Sequence, residues 1–483
     1  MQRMSPFVLS FALMTSQPSS NSIRLADLRC EYGVEPLGVE VHEPRLSWIV
    51  ETDRKNWRQS AYQVLVASSP SLLAKDRGDL WDSGRQPGLK GFQIIYEGSE
   101  LRSRQRCFWK ARVWDESGME SEWSPIGSWE MGLLHSSDWR DSYWIGGART
   151  GAAPEPAPHL RKEFSLPGRV RQARLYISGL GYAEASINGK SVAPGTEREP
   201  GYTNFDKRVL YVVHDVTKLL KPGLNCIGAI LGTGWYDVHD KATWNFDEAP
   251  WRDRPKLRAL LIAELTDGSE VFVSSDGTWK ASAGPIRFDG IYTGEVYDAR
   301  LEPGPWNQPG FDDSQWSPAV LAKEPKGVLS ARVCPPVVIT QTIKPKAIKE
   351  VKPEVYVLDL GVNISGHLRL KVKGKAGDKI TLRYSEKVNG EGMIDRTQIE
   401  QFMDKADPPQ PFQTDVYICK GSGQEIWEQR FSYQGFRYVE ITGFPGRPTL
   451  ASFEGRFAHT LFEEQGSFEC SNTLLNKIQE ATV

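Results

Sequence analysis

The sequence predicts an all-β protein built from three successive antiparallel β-sandwiches. Three observations carry that prediction. Apolar, β-branched and aromatic residues recur in short runs of period two, broken by Gly, Pro, Asn and Asp turns. The chain holds 44 Gly and 31 Pro beside 16 Trp, 16 Tyr and 19 Phe, a composition suited to short strands, frequent turns and flat apolar surfaces. Its 483 residues exceed one ordinary core, and at roughly 100 to 200 residues per domain they call for about three. The 59 Lys and Arg nearly balance 61 Asp and Glu, for a formal net charge of -2, so no global field holds nucleic acid or presses the chain onto an anionic membrane. With 39% hydrophobic and 25% charged residues the chain has enough apolar surface to fold.

Residues 1–22 read as a leader or a disordered tail. Met1-Gln2-Arg3 precedes an apolar run from Met4 to Met14 that resembles a short secretory leader. Against it, Pro6 and Ser10 interrupt the run and no small-residue cleavage site stands out. A leader implies a periplasmic or secreted protein, a tail a cytoplasmic one. No stretch elsewhere approaches the roughly 20 apolar residues that span a bilayer, so no membrane span is expected.

The first sandwich is placed at residues 23–134. Arg45 to Val50, Ala61 to Val66 and Gln93 to Tyr96 alternate as strands do. Cys107 to Asp115 reads as a further strand, and Ser121-Glu122-Trp123-Ser124-Pro125 as an edge strand after a Gly turn. This pair resembles the closing strands of a fibronectin type III module. The second sandwich is placed at 135–325. Ala173 to Ser178, Tyr182 to Ile187, Leu210 to Val216, Leu224 to Leu231 and Leu257 to Leu265 are its strands, with Asn188-Gly189 as a hairpin turn. Their number and spacing predict a jelly roll. The third sandwich is placed at 326–466, with strands at Val355 to Asp359, Leu368 to Val372, Lys379 to Tyr384 and Phe436 to Ile441. At 467–483 the period changes: Ser471-Asn472-Thr473 offers a cap and the following apolar spacing starts a helix. Six cysteines are scattered without a CxxC pair or a nearby His, which argues against zinc and for buried free thiols.

Seven ordered runs resemble the N-terminal, non-catalytic half of a bacterial multidomain α-L-rhamnosidase. They are Leu180-Gly181-Tyr182 with Ile187-Asn188-Gly189, Tyr202 to Tyr211, Leu231 to Tyr236, Tyr292 to Arg300, Asp359 to Gly366, Phe431 to Val439, and Gly466 to Asn472. The resemblance implies a fibronectin-like domain, rhamnosidase N-terminal and concanavalin-like β-sandwiches, and then an (α/α)6 barrel that carries the chemistry. Ser471 to Val483 resembles the truncated start of that barrel. Inversion needs an acid and a base carboxylate about 6.5 to 9.5 Å apart. Family members place both on the barrel, whose Asp-x-x-x-Arg-Asp-Glu motif has no counterpart here, so no catalytic residue is nominated. The resemblance therefore implies the accessory, carbohydrate-binding and scaffolding part of an enzyme that hydrolyses terminal α-L-rhamnosyl residues of glycans by inversion. Its expected partners are a rhamnose-containing glycan and the barrel. The alternatives are a stand-alone glycan-binding protein without hydrolase activity and an inactive remnant of a disrupted gene.

The richest chemical stretch runs from Gly234 to Trp251. Aromatic rings stack on sugar C–H faces while Asn and Asp bridge hydroxyls, which nominates Trp235, Tyr236, Trp244, Asn245, Trp251 and Asn204 for carbohydrate binding. Some rhamnosidases use a calcium ion in this domain, held by an Asn and by a Pro carbonyl five residues on. Asn245 and Pro250 match that spacing, and Asn204 and Asp206 add oxygens of the kind calcium prefers. The competing reading has the tryptophans pinning a long loop while Asn and Asp satisfy turns. Asn204 also departs from the acidic residue common at its position. Glu295 with Asp298 looks like an acid pair, but a structural strand with Arg300 paired to a carboxylate is the better reading. Glu428, Arg430 and Arg437 read as a shoulder for the barrel, and His214, His239, His367 and His459 as isolated.

Overall fold

A computed structural model describes residues 23–148, 151, 155–239, 245–400, 412–464 and 466–482. The leader-like run therefore lies outside the described residues. The chain divides into two compact units, Met1–Asp138 and Trp139–Val483.

In the first unit, Ile23–Cys30 pairs with Arg45–Thr52, which pairs with Ile94–Ile95. The other sheet runs Leu37–Val39, Gly127–Met131, Arg106–Asp115, Gln59–Ala67 and Trp81–Asp82, with Gln86–Pro87 beside Gln59–Ala67. Alternation drives Leu25, Leu46, Trp48, Val64, Val66, Trp109 and Trp129 into one core. The edge strand expected at Ser121 to Pro125 does not form, and the closing strand is Gly127–Met131 instead. The reason is local. Ser121 and Ser124 hydroxyls accept from the amides of Val113 and Ala111 at 3.1 and 3.0 Å, so side chains replace the carbonyls a ladder would use.

The second unit holds the jelly-roll-like sandwich. One sheet is centred on Val170–Leu180 between Lys256–Leu265 and Arg208–Asp215; the other is centred on Gly223–Gly232 between Tyr182–Ile187 and Pro158–Leu166. Leu160, Leu175, Ile187, Leu231, Leu261 and Trp279 fill the space between them. Asn188 and Gly189 both take positive φ, 51° and 78°, as a two-residue hairpin turn of this hand requires.

The last sandwich is one eleven-stranded sheet folded on itself. Val355–Val372 is a single 18-residue strand, longer than the two strands expected there. Its first part pairs with Gln434–Thr442 and its last part with Phe453–Thr460 and Glu425–Glu428. The register breaks between Asp359 and Ile364, and Gly361 and Gly366 take φ of 80° and 146°. A strand that switches layers needs such a bend. The hairpin Ile286–Gly290 and Gly294–Asp298 joins this sheet by parallel pairing to Thr414–Ile418, although it precedes residue 326 in the chain. Tyr182, Ile230, Trp306 and Trp316 of the jelly roll share one core cluster with Leu358, Leu368, Phe431 and Phe436. The two sandwiches thus pack as one body. A helix at Thr473–Thr482 follows, capped by Asn472, whose side-chain oxygen accepts from Leu474 N at 2.9 Å.

Candidate carbohydrate-binding site

Two of the nominated segments meet. Phe205 lies 6.0 Å edge-on from Trp251, and Tyr202 6.0 Å from Phe246, so the Asn204–Asp206 turn faces the segment carrying Asn245 and Pro250. Trp235 is half-buried among Tyr202, Phe246 and Tyr292. Trp251 anchors the loop by donating its indole N–H to the Trp235 carbonyl at 3.3 Å. Tyr236 is 3% exposed and packs on Phe205, so its ring faces protein on all sides. Trp244 lies outside the described residues, with 240–243. Asn245 and Pro250 are exposed, and Asn245 holds a left-handed backbone at φ 53°.

The oxygens nominated for calcium are of the hard type the ion takes. Two already have partners. The Asn204 side-chain oxygen accepts from Asp206 N at 3.2 Å, and the Asp206 carboxylate sits 3.7 Å from the Lys326 ammonium. Among the described residues no cluster of three or more His, Cys, Asp and Glu side chains is placed to hold a metal. Any ion here therefore depends on amide and carbonyl oxygens with one carboxylate.

A second feature lies at the seam between the jelly roll and the last sandwich. A cleft of about 430 Å³ opens there, lined by Glu184, Glu197, Glu199, His214, His367 and Glu428 among others. The histidines that look isolated in sequence are paired. His214 Nε2 is 3.2 Å from Glu199, which also meets Arg332 at 2.8 Å, and His367 Nε2 is 3.2 Å from Glu428. Glu428 further receives Arg369 at 2.5 Å and Arg456 at 3.0 Å. Burial alone would raise the Glu428 carboxyl, but the hydrogen bonds and charges of His367, Arg369 and Arg456 outweigh it and leave it at about 2. Arg430 crosses the seam to Glu184 at 2.6 Å, and Arg437 pairs with Asp359 at 2.8 Å. Glu428 and Arg430 thus serve the seam rather than standing free.

Behind the cleft lies a buried acid cluster. Glu295 N donates to Asp415 at 2.9 Å, Glu295 accepts from Arg430 N at 3.0 Å, and Asp289 accepts from Thr233 N at 2.7 Å. Burial pushes Glu295 up to about 8, and Asp289 and Asp415 each up to about 6. Asp298 instead pairs with Arg300 at 2.7 Å, so the Glu295 to Arg300 run is a structural strand and turn. Asp289 and Glu295 face each other across the hairpin, but nothing in the local sequence marks the cluster as a whole, because Asp415 joins them only through the hairpin's pairing to the later sheet.

Sandwiches that share a core across a charged seam define a modular β-sandwich protein. Three family models match it in order: "Rha78A-like, N-terminal immunoglobulin domain" at residues 25–135, "Alpha-L-rhamnosidase N-terminal domain" at 168–341 and "Bacterial alpha-L-rhamnosidase concanavalin-like domain" at 349–459. An alpha-L-rhamnosidase of Formosa agariphila is 35% identical, over 98% of this chain and 51% of its own length. The solved alpha-L-rhamnosidase from Dictyoglumus thermophilum superposes with a TM-score of 0.87 at 39% identity, over 95% of this chain and 51% of its own. That of Streptomyces avermitilis, complexed with L-rhamnose, gives 0.87 at 29% identity, over 95% and 59%. The chain belongs to the bacterial multidomain α-L-rhamnosidase family, as its ordered motifs imply. It spans about half the length of the relatives it matches. Among the described residues no helix is long and apolar enough to cross a membrane.

Proposed function

We propose that this chain is the glycan-binding and scaffolding part of an α-L-rhamnosidase, an enzyme that hydrolyses terminal α-L-rhamnosyl residues by inversion. The observation that carries this reading is the ordered match of three successive domains to rhamnosidase domain models. The convergence of the Tyr202–Asp206 turn with the Trp235–Trp251 loop favours glycan binding there, with Trp235 and Trp251 beside the sugar. Asn204, Asp206, Asn245 and the Pro250 carbonyl would hold calcium, which would bridge protein oxygens to sugar hydroxyls. A barrel in the same or a complementing chain would supply both carboxylates.

The test has two arms. Purified chain incubated with an aryl α-L-rhamnoside releases no phenol; turnover that survives repurification would refute the accessory role. Calorimetry with L-rhamnose gives binding heat that grows with calcium, and the absence of heat both with and without calcium would overturn glycan binding at the loop.

A further inference from the structure

We propose that the cleft between the jelly roll and the last sandwich is a second carbohydrate subsite, separate from the Trp235–Trp251 loop, for a neutral sugar residue with adjacent hydroxyls. The proposal rests on the reading of the chain as a glycan-binding module. A volume of about 430 Å³ falls within the roughly 300 to 1,000 Å³ usual for small-molecule sites. The walls come from both sandwiches: the 191–200 segment and Glu184 on one side, His367, Gln429, Arg430 and Arg456 on the other.

Among the described residues, the buried polar atoms on these walls that make no hydrogen bond include two besides the Nε2 of His214, which lies beside Glu199. The two are His367 Nδ1, on a residue 1% exposed, and Gln429 Oε1, on a residue 3% exposed. Glu428 fixes the His367 ring through Nε2, leaving Nδ1 3.7 Å from Glu197, beyond hydrogen-bond reach. Gln429 spends its amide N–H on the Ser432 carbonyl at 3.0 Å and leaves its oxygen unmet. Buried polar groups are rarely left without a partner, so these two atoms, on residues that line the cleft, are the ones a ligand hydroxyl would complete as their side chains shift towards it.

The remaining chemistry selects the ligand class. A sugar hydroxyl donates and accepts, whereas a carboxylate only accepts and a guanidinium only donates. The cleft alternates the two, as Glu184 with Arg430, Glu197 with Arg198 and Glu428 with Arg456. Each charge meets its opposite, which leaves no excess field for an anion or a cation. Ile339 and Ile426 add apolar surface for a C–H face.

The full chain is titrated calorimetrically with the methyl glycosides of L-rhamnose, D-galactose and D-glucose. Gln429→Met and Glu197→Gln are the cleft variants, and Asn245→Gly, which keeps the left-handed backbone, is the loop variant. At least one glycoside is expected to bind in two phases: the Kd of the cleft phase rises about tenfold or more in the cleft variants, whereas Asn245→Gly removes the loop phase and leaves the cleft phase in place. Heat lost in Asn245→Gly but unchanged in both cleft variants overturns the cleft and upholds the loop. A two-site isotherm that reduces to one site in each variant supports both. Absence of heat for all three glycosides overturns both together. Glu197→Gln decides the matter if Gln429→Met fails to fold, since it removes a carboxylate at the cleft wall and leaves the core intact.

Discussion

Replacing Glu295 by Gln should stabilise the Trp139–Val483 unit increasingly as pH rises. Glu295 is fully buried, its pKa is raised from 4.5 to about 8, and burial is the largest cause. A carboxylic acid whose pKa is raised on folding takes up protons in the native state. Its contribution is therefore intact below the unfolded pKa and is lost as pH climbs through the folded one. Glutamine is a neutral isostere of the protonated acid, so the variant escapes that loss. From the shift, the gain relative to the parent is about 1 kcal/mol at pH 5, about 3 at pH 7 and about 5 at pH 9. A constant offset adds to all three values, because an amide does not reproduce the acid's O–H. The pH-dependent span of about 4 kcal/mol is thus the diagnostic quantity. Urea unfolding followed by tryptophan fluorescence at each pH, fitted for the larger unit, measures it. A difference flat to within about 1 kcal/mol from pH 5 to 9 would refute the assignment of Glu295 as a buried neutral acid.

Glu428→Gln should show the opposite signature. Its folded pKa is depressed to about 2, so its stabilisation is present above the unfolded value and is lost as pH falls through the folded one; the variant should lose up to about 3 kcal/mol at pH 7, and less towards pH 3, by the same unfolding assay. Gly366→Ala should cost about 3 kcal/mol or prevent folding, because a Cβ there would meet the Arg456 carbonyl oxygen at 1.9 Å and φ is 146°; soluble yield and melting temperature report it, and parent-like values would contradict the layer-switching bend. Thiol titration with an aromatic disulfide should label exposed Cys334 first and half-exposed Cys470 next, while Cys30, Cys107, Cys226 and Cys419 react only on unfolding. Burial raises Cys107 to about 12 and Cys419 to about 11, so neither supplies thiolate at neutral pH.

The strands were legible where one face alternates and a turn follows. Tyr182–Ile187 runs as expected into its Asn188-Gly189 turn, and the last helix starts at its Asn472 cap. Three features were hidden, each for a physical reason. Serine hydroxyls standing in for carbonyls disguise the Ser121 to Pro125 segment as a strand. Two glycines let Val355–Val372 continue through what reads as a loop. The hairpin ending at Asp298 joins a strand that begins at Thr414, and no local pattern encodes so distant a partner. The loop aromatics were visible as a cluster, yet sequence could not separate half-buried Trp235 from buried Tyr236. The seam was invisible for the same reason as the hairpin: His367 and His214 look solitary because Glu428 and Glu199 reach them only through tertiary packing.

The runs that resemble rhamnosidases concentrate at that seam. Tyr182 of the first run lies in the shared core. Gly232 leaves room for Phe431, whose ring would meet a Cβ at 2.2 Å, and Thr233 holds Asp289. Glu295 of the fourth run reaches Arg430 N and Asp415, and Gly366 of the fifth lets Arg456 approach the cleft. Residues of this kind have little freedom, because each is fixed by contacts from two sandwiches at once; a surface loop such as 245–251 is not so constrained. The family signature therefore reads the joint between modules more directly than it reads a sugar site. This is why the recognisable runs specify the fold more directly than the ligand: Gln429 and His367 line the cleft beside the signature residues, held in place by the same packing, each with a buried polar atom that makes no hydrogen bond among the described residues.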